Sequence, residues 1–144
     1  MISKKQLNGF ATLLGNIFQG AIDNSSEEDV KRWVVKISTD ETTITVRIMD
    51  SCQNLWFGEI YDFAGVFDDD YLLEVLQEIE YDLQTFANDS RVPRNVQHAR
   101  NMTTFEKTVC LVSFRQIAKE VAFRWNESLS IVKEVLGLRI NYAD

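Results

Sequence analysis

Trp33-Val34-Val35-Lys36-Ile37-Ser38-Thr39-Asp40-Glu41-Thr42-Thr43-Ile44-Thr45-Val46-Arg47-Ile48 is the stretch that decides the fold class. Successive side chains of a strand point to opposite faces, so a half-buried strand alternates apolar and polar residues. Trp33, Val35 and Ile37 hold one face of the first run, and Ile44, Val46 and Ile48 hold one face of the second. Thr39-Asp40-Glu41-Thr42 separates them with polar residues that suit a tight turn, which predicts an antiparallel hairpin. A second turn is expected between Asp50 and Asn54. Leu55-Trp56-Phe57-Gly58-Glu59-Ile60-Tyr61 then supplies the aromatic and β-branched content of a third strand. A three-stranded antiparallel meander follows.

On either side of the meander the period changes to that of a helix. Ser3 is placed to cap a helix over residues 4–22, in which Leu7, Phe10, Leu14, Ile17, Phe18 and Ala21 recur at helical spacing. Gly9, Gly15 and Gly20 each weaken it by up to about 1 kcal/mol relative to alanine. Their presence points to close approach of another element. Asn24-Ser25-Ser26 ends this helix, and Glu27-Glu28-Asp29 suits a loop or one short helical turn.

After the meander, Leu72, Leu76, Ile79, Leu83 and Phe86 form one apolar stripe, predicting a helix over residues 69–88. Asp68, Asp69 and Asp70 stand at its start, where carboxylates accept from free N–H groups and meet the positive end of the helix dipole. Residues 89–103 are polar and contain the sole proline, Pro93, and the sole histidine, His98. A loop is expected there. Thr103 with Glu106 suits the start of a helix over residues 104–124, with Thr108–Val112 open to a buried strand instead. Asn126 is placed to cap a last helix closed by Gly137, and the tail from Arg139 is a candidate sheet-edge extension.

The fold class read from this order is α+β: an N-terminal helix, a three-stranded antiparallel β-meander, then two to three helices packed on the sheet. With 144 residues, one domain spanning 1–144 is the expectation. No apolar run reaches the roughly 20 residues of a membrane span, and no signal-peptide pattern stands at the N-terminus. The expected location is cytoplasmic, with Cys52 and Cys110 reduced.

The net charge of −7 is unevenly spread. Residues 51–90 contain ten acids and no lysine or arginine, whereas residues 91–144 contain nine bases and five acids. Binding to phosphates draws on clustered lysine and arginine, so direct nucleic-acid binding is disfavoured. A basic partner protein suits the acidic segment better.

Asp70, Glu74, Glu78 and Asp82 stand four residues apart and form a ladder on one helix face. Three successive like-charge pairs cost roughly 0.6 to 1.5 kcal/mol in total. Arg115, Lys119, Arg124 or Lys133 is available to neutralise the ladder from within. The other reading is a docking face for a basic partner, made of Asp68, Asp69, Asp70, Glu74, Glu78 and Asp82. Rungs about 6 Å apart are sparser than the one charge per roughly 1.7 Å of duplex DNA, so imitating DNA would need acids from other elements too. Arg91, Arg94, His98 and Arg100 form a candidate anion grip for a phosphorylated compound, because guanidinium groups bind phosphate in a bidentate manner. The bland alternative is that these arginines pair with the acidic segment before them.

Catalytic motifs are not recognised. His98 has no companion at metal-ligand spacing, and neither cysteine lies in a reactive-site pattern. No cofactor and no metal are expected, and the reading leans away from an enzyme. The order of elements, with the acidic balance, is similar to what small secretion chaperones show over their first half. That resemblance is one of pattern, covers no motif and transfers no residue role. The leading expectation is a non-enzymatic binding protein of inhibitor, immunity or chaperone-like type. A small-ligand sensor or enzyme using the loop at 91–100, and a structural subunit forming a homodimer or larger homo-oligomer, are the alternatives.

Overall fold

The computed structural model describes residues 2–65, 68–88 and 102–138. Along the chain stand α1 (Lys4–Asp23), a 3-10 turn (Val30–Arg32), β1 (Val34–Asp40), β2 (Thr43–Met49), β3 (Leu55–Asp62), α2 (Asp69–Asn88) and α3 (Thr104–Leu136). The class is α+β, as the sequence predicts. Among the described residues no helix is long and apolar enough to cross a membrane.

The N-terminus of α1 is closed by a reciprocal pair: Gln6 N–H donates to Ser3 Oγ at 3.1 Å, and Ser3 N–H donates to Gln6 Oε1 at 3.0 Å. Two of the four free donors of the first turn are thereby satisfied. Leu7, Phe10, Leu14, Ile17, Phe18 and Ala21 are all buried. Gly20 is explained by close approach, since a Cβ there would meet Arg124 Nη1 at 2.8 Å. This arginine belongs to α3, which packs along α1.

The strands form one antiparallel sheet in the order β1-β2-β3. Asp40 pairs with Thr43, so the first turn narrows to Glu41 and Thr42, with Glu41 in the left-handed region at φ 51°. Ile44, Val46 and Ile48 face the core, but Trp33 precedes the strand rather than belonging to it. In β3 the alternation breaks. Ile48 pairs with Phe57 while Met49 pairs with Leu55, so Trp56 has no residue opposite it. This bulge inserts one extra residue and lets neighbours turn to the same side. Trp56 and Phe57 are consequently both buried, at 1% and 2% exposure.

The turn from β2 to β3 is fixed by Asp50, the one buried charged residue among those described. Its Oδ1 accepts from the N–H groups of Cys52 at 2.8 Å and Asn54 at 3.0 Å, and its Oδ2 accepts from Trp56 Nε1 at 3.0 Å. Burial of a carboxylate is tolerated only when its lone pairs are filled. Here they are filled by backbone and indole donors together with the side-chain amide of Asn54, which donates to Oδ2 at 3.0 Å.

Asp68 caps α2, accepting from Tyr71 N–H at 2.8 Å. Leu72, Leu76, Ile79 and Leu83 are buried, and the side chain of Phe86 lies outside the described residues. Thr103 caps α3 by accepting from Glu106 N–H at 3.1 Å, and Gly137 ends it at φ 78°, a conformation that favours glycine. Between these caps α3 is one helix of 33 residues. The expected break at Asn126 does not occur, and Thr108–Val112 is helix rather than strand. No glycine or proline interrupts residues 104–136. The apolar stripe runs on from Trp125 through Val132 to Leu136, all buried, while Asn126 faces solvent.

The helix α3 packs on both α1 and α2, and α1 packs on β1. Aromatic rings tie these layers together. Trp33 stacks on Trp56 at 5.5 Å, Trp56 meets Phe114 of α3 at 5.8 Å, and Phe10 of α1 meets Trp125 at 6.4 Å. Trp33, Trp56, Phe57, Tyr61 and Trp125 are thus core residues, as expected. The tail from Arg139 lies outside the described residues.

Candidate functional site

The period of α2 puts Asp70, Glu74 and Glu78 on its exposed side. The fourth rung differs. Asp82 is half-buried, because one more turn brings it against β3, where its Oδ2 accepts from Tyr61 Oη at 2.9 Å. The ladder therefore divides into three solvent-facing carboxylates and one turned into the junction between α2 and the sheet. Asp68 is engaged as the helix cap, and Asp69 lies in the first turn, partly exposed.

The junction contains an acid outside the expected face. Glu59 pairs with Val46 and alternates with Phe57 and Tyr61, so it lies on the core-facing side of β3 and is half-buried. The alternation Phe57-x-Glu59-x-Tyr61 was the signal that could have placed it there. Glu59 titrates above the ordinary glutamate value, first because burial penalises its charge, then through repulsion by Asp82 and Glu78. Asp82 is also raised by burial, with the hydrogen bond from Tyr61 acting in the opposite direction. Tyr61 is pushed far up by burial and then by the charge of Asp82, so its hydroxyl remains a donor. A tyrosine shifted this way is the opposite of an activated nucleophile.

Glu59, Glu78 and Asp82 thus form an acidic corner around Tyr61, continuous with Asp70 and Glu74. Of the cations suggested as internal neutralisers, Arg124 is engaged elsewhere: its Nε donates to Glu120 at 3.0 Å within α3. Arg91, Arg94, His98 and Arg100 lie outside the described residues. Among the described residues no group of three or more histidine, cysteine, aspartate or glutamate side chains is arranged to hold a metal. Cys52 and Cys110 are free thiols. The structure brings both to one cleft between the β2–β3 turn and the start of α3, a proximity their separation in sequence conceals.

The chain matches no family model, no curated protein and no solved structure. A functional reading therefore rests on the chemistry of its own residues.

Proposed function

We propose that this chain is a non-enzymatic binding module, of inhibitor, immunity or chaperone-like type, that engages a basic partner protein through the acidic face of α2. The contact surface runs from Asp70, Glu74 and Glu78 to the corner holding Glu59 and Asp82. One observation carries this reading: Asp70, Glu74 and Glu78 share the exposed side of α2, and Glu59 and Asp82 lie half-buried where it meets β3, so one surface gathers five carboxylates. A lysine or arginine arriving there relieves the repulsion and gains charge-assisted hydrogen bonds. The same field disfavours phosphate backbones, so a nucleic acid is an unfavourable partner for this face.

The test is capture of partners by the wild-type chain and by Glu74→Lys with Glu78→Lys, from native lysate at low and moderate salt. Wild type should retain a basic protein whose binding weakens as salt rises, because exposed charges are screened within about 10 Å at 0.1 M. The charge-reversed variant should lose at least tenfold in captured partner while keeping its helical circular dichroism. Equal capture by a folded variant removes the acidic face from consideration.

A further inference from the structure

A second concentration of negative charge borders a cavity. Where the β2–β3 turn meets the first two turns of α3, a cleft of about 310 Å³ opens, within the size range of small-ligand sites. None of its lining residues belongs to α2 or β3, so it is separate from the acidic corner. Its wall includes the buried Trp33, whose ring stacks on Trp56. At its rim Phe105 is 77% exposed and Val109 is 48% exposed, large apolar groups left in water.

Three carboxylates line the same space: Asp29, Asp50 and Glu106. Among the described residues no lysine, arginine or histidine lines it. Asp50, only 4% exposed, is held by neutral donors. The Cys110 thiol lies in the same cleft and is pushed up to about 11, first by burial and then by the charges of Asp50, Cys52, Glu106 and Asp29.

An aromatic wall, an exposed apolar rim and three carboxylates, with no cationic side chain among the described lining residues, are complementary to one kind of occupant. We infer that this cleft binds a small organic cation of the substituted-ammonium class, its charge facing Asp29 and Glu106 and its apolar body against Trp33 and Phe105. An anion meets three carboxylates there. A neutral apolar molecule gains the walls but forgoes the electrostatic attraction, which strengthens where water is displaced next to aromatic rings.

The experiment is titration of the full chain with choline and with its uncharged isostere 3,3-dimethylbutan-1-ol, followed by amide chemical shifts. Choline should give saturable shifts at Cys52, Phe105, Glu106 and Val109, and the isostere should bind at least tenfold more weakly. Glu106→Gln and Phe105→Ala change exposed side chains, and each should weaken choline at least fivefold with the remaining spectrum preserved. No saturable response to choline, an equal response to the isostere, or wild-type affinity in both variants overturns the assignment. Such a failure leaves the partner-binding face of α2 untouched, because the two surfaces share no residue.

Discussion

Asp50 shows how one side chain fixes both a turn and the core beneath it. Its carboxylate closes the β2–β3 loop through two backbone N–H groups and satisfies the indole of Trp56, which the bulge has driven inward. Asp50→Ala strands a buried indole donor and frees the turn, and should cost about 3 kcal/mol, read as a lower urea midpoint. Asp50→Asn keeps one acceptor oxygen and should lose less. Neither the bulge nor this role is written in the alternation of β3, since a one-residue insertion looks like ordinary apolar sequence. The adjacent Trp56 and Phe57 are the one trace of it, two large rings that strict alternation would have sent to opposite faces.

The elements themselves were legible where their period was long and uninterrupted. The apolar spacing of α1 and α2 predicts residues 4–22 and 69–88, and the structure gives Lys4–Asp23 and Asp69–Asn88. The helix α3 departs from expectation because Asn126 has the chemistry of a cap, whereas continued burial of Val132 and Leu136 holds the backbone helical through it. Asn126→Ala separates the two roles. A mid-helix asparagine replaced by alanine should stabilise the protein by about 0.5 kcal/mol, whereas loss of a true cap would destabilise it by about 1 kcal/mol, both measured by urea denaturation. The candidate face was legible as a four-residue spacing of acids. That Asp82 leaves it for Tyr61 was not, because the pairing joins residues 21 apart and depends on how α2 lies against the sheet.

Across the whole molecule, the acidic corner sets a direction for pH dependence. Glu59 and Asp82 hold their protons more tightly folded than unfolded. Between the unfolded and folded titration ranges the native state binds more protons, so these two groups add stability as pH falls from neutrality toward the ordinary carboxylate range. Glu59→Gln should raise the melting temperature at pH 7 and flatten its rise on mild acidification, as measured by calorimetry across pH 5 to pH 7. The long helix α3 has a different consequence. It supplies Phe114 to the tryptophan pair and Trp125 to Phe10, yet it stands last in chain order among the described elements. Until α3 has been made, the rings of Phe10, Trp33 and Trp56 lack the partners it brings, so burial of this aromatic cluster waits on the most C-terminal of the described helices.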